Sequence, residues 1–397
     1  MSVVRENIEA LVPDFQYVEQ DRIVTTIGFA ASFYFWEGHT SAKRRALVEC
    51  IEAFEHAYAD KLKWGCDPDS WNTIKLADKR LPALRNYVTS LDADDCVEWH
   101  LSSSAHREEV ADFSITCMTE RAWEDKQMSW LAFQVPRSHA FNEHHRQQLE
   151  ALLLLMIERL SPFHGHAGLT VVCPELAIPY EGDVLDVATR YRGLYVEGAG
   201  DLLCAQNGPK SIDWFSVVGD VLAERLGGAQ AYADYCRQCG VEPIRCGQAL
   251  ILRSANAPQI GAVTEPSPQG YVAANAALRP LRDGAYDSMG GGSINGEIRF
   301  NRCTSDLWIR RFDQPDIWPP ASLIGLGKEP LGKTPSKKYR VKSGERSQCH
   351  GRFQRTNANS PELILMPGDL APYWVRLGPH GQYLGRDTVT WTLVAEL

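Results

Sequence analysis

The densest group of histidines lies where imidazoles could ligate a metal ion or act as general bases. His144 and His145 precede an apolar helical pattern, and His164 and His166 follow it. Because a helix rises about 1.5 Å per residue, the two pairs lie at opposite ends and cannot easily reach one ion. Adjacent histidines also point to different faces of a helix. We therefore interpret the four as capping and surface residues and expect no metal site.

The cysteines are the other potential metal ligands. The chain has 11 of them, an odd number that fits free thiols in a reducing compartment better than a disulfide framework. Cys236 and Cys239, with Cys246 beyond them, give half of a zinc-site spacing, but no matching fourth ligand is nearby and Cys236 falls in a helical pattern. We expect neither metal nor cofactor.

Local catalytic motifs are missing from the sequence. The glycine-rich run at residues 289–293 has no Gly-Lys-Ser/Thr ending and is interpreted as a flexible turn, not a phosphate loop. A Gly-x-Ser-x-Gly nucleophile motif is also lacking. Because triads also assemble from distant positions, an enzyme of unknown type stays as a remote alternative. Our prediction is that the protein is not an enzyme.

Carboxylates are concentrated in a polar connector near residue 100. General acid–base chemistry would need a cleft that raises the pKa of one of them, which a polar connector does not provide. Two interpretations stay open, a solvated loop and an acidic surface that contacts a basic partner. Arg107 is the only Lys or Arg among them. The partner-binding candidates are Asp92, Asp94, Asp95, Glu98, Glu108, Glu109 and Asp112.

The first half of the chain predicts a β-α-β-β-α-β order. Apolar residues alternate over residues 23–36, 111–117 and 131–135, which indicates strands, and residues 169–173 read as a further short strand. Apolar residues at helical spacing predict a helix from Ser41 that closes near Gly65, and another from Asn142 to Leu160.

The second half predicts further helices and strands. Asp213 is predicted to cap a helix from Trp214 to Leu226, with Gly227 and Gly228 ending it in a left-handed turn. Residues 248–253 read as a strand. We predict an α+β fold in which helices cover a mixed or antiparallel sheet. The body is expected to span residues 1–325, possibly as two subdomains split near 175, and residues 326–397 to form a small β-rich C-terminal module.

Charge is distributed unevenly along the chain. Residues 1–250 hold 23 Lys and Arg against 37 Asp and Glu, a balance of −14, while residues 251–397 hold 18 against 13, a balance of +5. The acidic part repels nucleic acid and attracts a basic partner, or it only keeps the protein in solution. The basic stretch at 328–355 is expected to dock on the acidic body. We expect no nucleic-acid binding, and the lack of an apolar leader or spanning segment predicts a cytoplasmic protein without membrane contact.

Three segments together resemble the type VI secretion system immunity family. They are Arg190 to Val196 with its Arg-Tyr-x-Gly-Leu element, Lys210 to Asp220 around Asp213-Trp214, and Leu226 to Gly228. The resemblance covers about residues 15–265, and its shared residues are mainly structural. Those residues are Arg190, Gly193, Asp213, Trp214, Gly219, Gly227 and Gly228.

The resemblance implies a function in bacterial competition. Members of such families neutralise a toxic effector injected by a neighbouring cell, so the expected partner is a cognate secreted toxin. A cytoplasmic location favours a toxin that acts there, most plausibly a nuclease whose active face is occluded. The alternative is a chaperone or adaptor that stabilises or loads the toxin without inhibiting it.

Overall fold

The structure is a computed structural model of the 397-residue chain. It describes residues 8–78, 81–124, 127–174, 180–198, 201–282, 289, 300, 302–314, 317–320, 339–356, 360, 362–367, 369–377 and 383–396. Apart from Met289, the predicted glycine-rich turn lies outside these residues, as does the predicted boundary near residue 325.

Twelve strands of the described chain form one large sheet. They are β1 (Tyr17–Glu19), β2 (Arg22–Phe35), β3 (Trp64–Cys66), β4 (Thr73–Lys75), β5 (Glu98–Ser102), β6 (Ser114–Met118), β7 (Ser129–Val135), β8 (His164–Val172), β9 (Tyr195–Val196), β10 (Phe215–Gly219), β11 (Ile244–Cys246) and β12 (Ala249–Arg253). The main path runs β11-β12-β10-β8-β2-β7-β6-β5-β3-β4, with β1 on β2 and β9 on β8. Its ladders are antiparallel except for the parallel β8–β9 pair.

The described α-helices number ten. They are α1 (Val12–Phe15), α2 (Ser41–Tyr58), α3 (Leu84–Ser90), α4 (Glu143–Leu160), α5 (Glu181–Arg190), α6 (Asp201–Cys204), α7 (Asp220–Ala223), α8 (Ala229–Gln238), α9 (Gln269–Leu278) and α10 (Arg302–Ile309). Short 3-10 turns span Arg137–Ala140, Ala205–Asn207 and Glu224–Leu226. Helices on a mostly antiparallel sheet confirm the predicted α+β class.

The side chains of the long strand β2 point alternately to the two faces of the sheet. Its residues Phe29, Ala31, Phe33 and Phe35 are fully buried and belong to the main core. That core also holds the apolar sides of α2 and α4, and Phe54 of α2 packs 5.7 Å from Phe133 on β7. Since successive side chains of a strand point to opposite faces, the residues between them turn to the other side of the sheet.

Both long helices begin as predicted. The Thr40 side chain accepts a hydrogen bond from Lys43 N at the start of α2, and the Asn142 side chain accepts one from His145 N at the start of α4. The end of α2 was predicted too late, because the helix stops at Tyr58 and Gly65 lies in strand β3. A Cβ at Gly65 would meet the His100 carbonyl oxygen at 2.8 Å, so the glycine permits close strand pairing.

The predicted acidic connector is not one loop. Glu98–Ser102 form strand β5, in which Trp99 and Leu101 are buried, and the strand pairs with β6 and β3. The short elements β3, β4 and α3 precede it and were also missed. The sheet is therefore wider than the predicted order.

The segment from Trp214 to Leu226 is not the predicted helix. Residues Phe215–Gly219 form strand β10, which pairs with β8 on one side and β12 on the other, and α7 and a 3-10 turn follow. Because β8 pairs directly with β10, the sheet is continuous across residue 175. Gly227, at φ +90°, does adopt the left-handed conformation at the end of the 3-10 turn.

The chain ends in a small β module. Strands β13 (Arg340–Lys342), β14 (Gly351–Arg355), β15 (Leu363–Leu365) and β18 (Thr390–Glu396) form a four-stranded sheet, and β16 (Trp374–Leu377) pairs with β17 (Tyr383–Asp387). The predicted β-rich C-terminal segment is confirmed. Its Arg386 donates a 2.7 Å bond to Asp306 on α10, which joins the module to the body.

Replacing Trp214 by alanine should destabilise the whole fold. Trp214 is fully buried, packs edge-on against Phe29 at 5.9 Å and donates a 2.7 Å hydrogen bond to the Ala255 carbonyl. Loss of such an aromatic side chain typically costs about 3–5 kcal/mol of unfolding free energy, which chemical denaturation measures. Trp123→Ala is the matched control, since Trp123 is 66% exposed. Equal midpoints for both variants would show that Trp214 does not hold the core.

Candidate functional site

A cleft of about 500 Å³ lies on the face of the sheet opposite α2 and α4. Alternate residues of four strands form its floor, and they are mainly small or polar. Ser32, Ala132 and Thr116 are direct cross-strand neighbours on β2, β7 and β6. Tyr34 and Trp130 supply aromatic walls, and the segment after β9 closes one side. Unlike the opposite face, this one is only partly covered by the residues that the structure describes.

Buried ionisable groups lie behind the closed side of the cleft. His166 on β8 is 3.3 Å from Asp213 through Nδ1 and 3.2 Å from Glu197 through Nε2. Its ring also stacks on Tyr195 of β9, with centroids 3.7 Å apart. One imidazole therefore joins carboxylates from two different segments.

Asp213 is fixed by its own backbone surroundings. It is fully buried, and its Oδ1 accepts a 2.7 Å hydrogen bond from Trp214 N while Oδ2 faces His166. A Cβ at Gly168 would lie 1.8 Å from Asp213 Oδ1, so the glycine of β8 makes room for the carboxylate. Asp213 is thus an ion-pair partner in the core, and the predicted N-cap role is wrong.

Glu197 and Asp201 carry the network to the cleft surface. Ser32 Oγ donates a 3.0 Å hydrogen bond to Glu197 Oε1, and the Glu197 side chain is 37% exposed. Lys210 lies behind them, donating to both oxygens of Asp201 at 2.7 and 2.8 Å and to the Val196 carbonyl at 2.6 Å. Lys210 also packs 4.8 Å from the centroid of the Tyr195 ring.

The ionisable groups of this network shift one another's pKa values. Burial alone would lower the pKa of His166, but the carboxylates of Glu197 and Asp213 raise it to about 9. The charge of His166 lowers the pKa of Glu197, whose side chain reaches the cleft. Burial raises the pKa of Asp213 and of Asp201. A protonated His166 facing an ionised Glu197 is therefore the expected state at neutral pH.

The histidine interpretation from the sequence is wrong for two of the four residues. His164 and His166 are buried in the middle of the sheet, where they occupy alternate positions of β8. Their spacing of two residues, next to Gly165 and Ala167, was the available indication of a strand. His144 and His145 do lie in the first turn of α4, as predicted.

Strand β5 divides the acidic partner-binding candidates into two groups. Asp92, Asp94 and Asp95 precede it, Glu98 is its first residue, and Glu108, Glu109 and Asp112 follow it. A five-residue strand is about 16 Å long, so the two groups lie at opposite ends of the strands of the sheet. They do not form one surface.

The first acidic group lies on a rigid loop. The buried Arg44 of α2 donates to the carbonyls of Leu91, Asp92 and Asp95 at 2.8–2.9 Å. Ala122 N donates to the Ala93 carbonyl at 3.0 Å, which places this loop beside the β6–β7 connection. That connection carries Trp123, whose side chain is 66% exposed. We call Asp92, Asp94, Asp95, Glu98 and Trp123 the acidic edge.

The second acidic group is bound to its surroundings. Glu108 pairs with Arg22 at 3.4 Å, and Glu109 accepts a 3.0 Å hydrogen bond from Ala105 N. Val110 N also donates a hydrogen bond to the Ile23 carbonyl in β2. This group is therefore the natural comparison for the acidic edge.

The motif residues of the sequence lie at packing and turn positions. Arg190 pairs with Asp186 at 2.6 Å at the end of α5. A Cβ at Gly193 would meet the Gln259 carbonyl oxygen at 1.9 Å, and one at Gly219 would meet the Pro162 carbonyl oxygen at 2.1 Å. Gly227 and Gly228 both have positive φ, which glycine adopts without strain.

Metal and membrane features are absent from the described part of the chain. No group of three or more His, Cys, Asp or Glu side chains there could hold a metal ion. None of the helices described is long and apolar enough to cross a bilayer. Cys236 lies buried in α8, as its helical pattern predicted.

Comparison with known proteins decides the family. The model of the family described as TsiV, type VI immunity for VRR-NUC, matches residues 46–312. The chain belongs to the TsiV family. The matched region contains the acidic edge, His166, Glu197, Lys210 and Asp213, so the features described above lie within the TsiV part of the chain. Membership confirms the resemblance in the sequence and favours a role without catalysis.

A solved structure supports the fold of this TsiV protein. The Pseudomonas aeruginosa T6SS protein PA0821 superposes with a TM-score of 0.68, covering 83% of this chain and 97% of that one. At 22% sequence identity this likeness concerns the fold alone. No curated protein sequence matches the chain.

The ion pairs of His166 should give the TsiV protein a distinct pH dependence of stability. A pKa of about 9 exceeds the value of about 6.5 expected for histidine in the unfolded chain. The stabilisation is therefore complete below about pH 6.5 and is lost as the pH rises towards 9. Chemical denaturation from pH 6.5 to 9.5 should show a steeper decline for the parent protein than for His166→Gln.

The control is His164→Gln on the same strand. Burial lowers the pKa of His164 to about 3, so His164 is neutral in the folded protein over the whole range. Above about pH 7.5 this histidine is neutral in the unfolded chain as well, so its replacement should keep the parent slope there. Only slopes are compared, because both substitutions lower overall stability. Parallel slopes for the parent and His166→Gln would refute the ion-pair assignment.

Proposed function

We propose that this protein neutralises a VRR-NUC nuclease effector of a type VI secretion system by binding it in the cytosol and covering its substrate-binding face. The observation that carries the proposal is the TsiV match over residues 46–312, in a family described as immunity for VRR-NUC. A nuclease must hold a polyanionic substrate with basic side chains. An inhibitor of that face therefore benefits from acidic character.

The charge of this chain fits such a partner. Its formal net charge is −9, and the balance over residues 1–250 is −14. Opposite charges accelerate the encounter of two proteins and orient them before contact. The acidic charge thus supports binding to a basic nuclease surface, and it disfavours binding of DNA to the immunity protein itself.

The acidic edge is the proposed contact surface. Arg44 holds its loop from inside the protein, so little ordering entropy is lost on binding. Trp123 supplies an exposed aromatic group beside the carboxylates. Tryptophan is enriched among residues that dominate binding energy in interfaces. The acidic edge thus combines carboxylates that attract a basic surface with one exposed aromatic side chain that can be buried on binding, and this combination suits a protein partner.

Protection from the effector is the primary test. The cognate effector should degrade DNA in vitro, and one equivalent of the immunity protein should stop the reaction. An unrelated nuclease serves as the control and should stay active, which excludes sequestration of DNA. In cells, co-expression should rescue growth when the effector is kept in the cytosol. A stable complex that still cleaves DNA would instead indicate a chaperone or adaptor.

Neutralising the acidic edge should slow association with the effector. The test variant combines Asp92→Asn, Asp94→Asn, Asp95→Asn and Glu98→Gln, which keep the side-chain size. Association should fall by roughly tenfold at low salt and become less dependent on salt. Stopped-flow kinetics measures the rate, and the melting temperature should stay almost unchanged because these side chains are exposed or half-buried.

The second acidic group gives a matched control. The control variant combines Glu108→Gln, Glu109→Gln and Asp112→Asn. It removes a similar charge from the other end of the strands and should change association little. Equal slowing by both variants would show that only total charge matters. If the association rate depends on neither salt nor either set of substitutions, the carboxylates are solvated surface and do not contribute to binding.

A further inference from the structure

Among the residues that the structure describes, those that bring charge into the cleft are negative. Among the residues that line it, Glu197 and Asp201 are the charged ones. The compensating cations stand behind them, since the His166 side chain is 4% exposed and that of Lys210 is 2% exposed. A group entering the cleft therefore meets carboxylate oxygens first. Since Coulomb energy falls with distance, the near charges dominate and a cation is favoured over an anion.

The walls of the cleft suit an organic cation. Trp130 and Tyr34 offer aromatic surface, over which guanidinium and ammonium groups bind favourably. Ser114 and Thr116 add hydroxyl groups on the β6 side. A volume of about 500 Å³ accommodates a long side chain without opening the core.

Two buried polar atoms in the lining lack a hydrogen-bond partner among the described residues. They are Thr170 Oγ1, on a fully buried residue, and Trp130 Nε1. Leaving a buried polar group unpaired is destabilising, so such groups are rare and often mark functional sites.

We propose that the cleft receives an arginine or lysine side chain of the bound effector, which pairs with Glu197 and packs on Trp130. This inference rests on the proposed function, because a nuclease surface supplies the basic side chain. It assigns a second contact, separate in sequence from the acidic edge. Charge complementarity decides the occupant, since the cleft presents carboxylates and aromatic rings to whatever enters it.

Small probes test the cleft without the effector. Butylguanidinium mimics an arginine side chain, and butylurea has nearly the same shape without the charge. Ligand-observed NMR titration of the full chain should show saturable binding of butylguanidinium, with a dissociation constant on the order of millimolar for so small a ligand. Butylurea should bind roughly tenfold more weakly. Equal binding of both probes, or none of either, would overturn the assignment.

Two variants locate the binding. Glu197→Gln removes the charge and keeps an acceptor for Ser32, and Ala132→Met fills the cleft without touching the ion pairs. Both should weaken butylguanidinium binding roughly tenfold. Ala59→Met, at an exposed position after α2, is the control for adding a methionine and should bind like the parent. If Glu197→Gln unfolds, Ala132→Met still decides the question.

The effector itself provides the second arm. Ala132→Met should weaken effector binding roughly tenfold, whereas Ala59→Met should not, and the effector should displace butylguanidinium. An effector that binds Ala132→Met as tightly as the parent overturns the inference and leaves the proposed function intact. Simultaneous binding of probe and effector would mean that the cleft serves a free small cation, which also overturns it. If the parent does not bind the effector at all, the proposed function fails and the cleft has no effector side chain to receive.

Discussion

The pairing of His166 with Asp213 and Glu197 is the constraint on which the centre of this protein depends. It joins β8 to the segment before β10 and to the segment after β9, which are distant in sequence. Removing charges from water is costly, and breaking one partner of a buried pair leaves the other uncompensated. Lys210 compensates Asp201 for the same reason, and Gly168 leaves the space that the Asp213 carboxylate occupies. The network thus fixes the closed side of the cleft and holds Glu197 at its surface.

Much of the fold followed from periodicity in the sequence. The alternation around Phe29 and Phe33 predicted β2, and helical spacing with Thr40 and Asn142 as caps predicted α2 and α4. Strand β5 was missed because the acidic residues on both sides masked the short alternation of Val97, Trp99 and Leu101. The segment around Val217 was assigned to a helix because a short apolar run has no decisive period when both faces are buried. Its β-branched valines and the preceding aromatic residues were the evidence for a strand.

The candidate sites show the same limit more strongly. The acidic residues could be found by counting, but their division by β5 needed the pairing of strands. The cleft could not be predicted, because Ser32, Thr116, Ala132 and Glu197 come from segments far apart in the chain. Lys210 and Asp213 belong to the recognised motif, yet their ionic role depends on His166 and Asp201, which lie outside it. Tertiary contact, not local pattern, creates these features.

The two proposed contact surfaces for the nuclease on the TsiV body are the acidic edge and the cleft. Hydrogen–deuterium exchange of the full chain, alone and with one equivalent of the effector, tests this most directly. The account predicts slower exchange around residues 92–98 and 119–124 and along the cleft segments around 197–202, with little change in the C-terminal sheet at 340–396. Protection confined to the C-terminal sheet, with the acidic edge and the cleft unchanged, would contradict it.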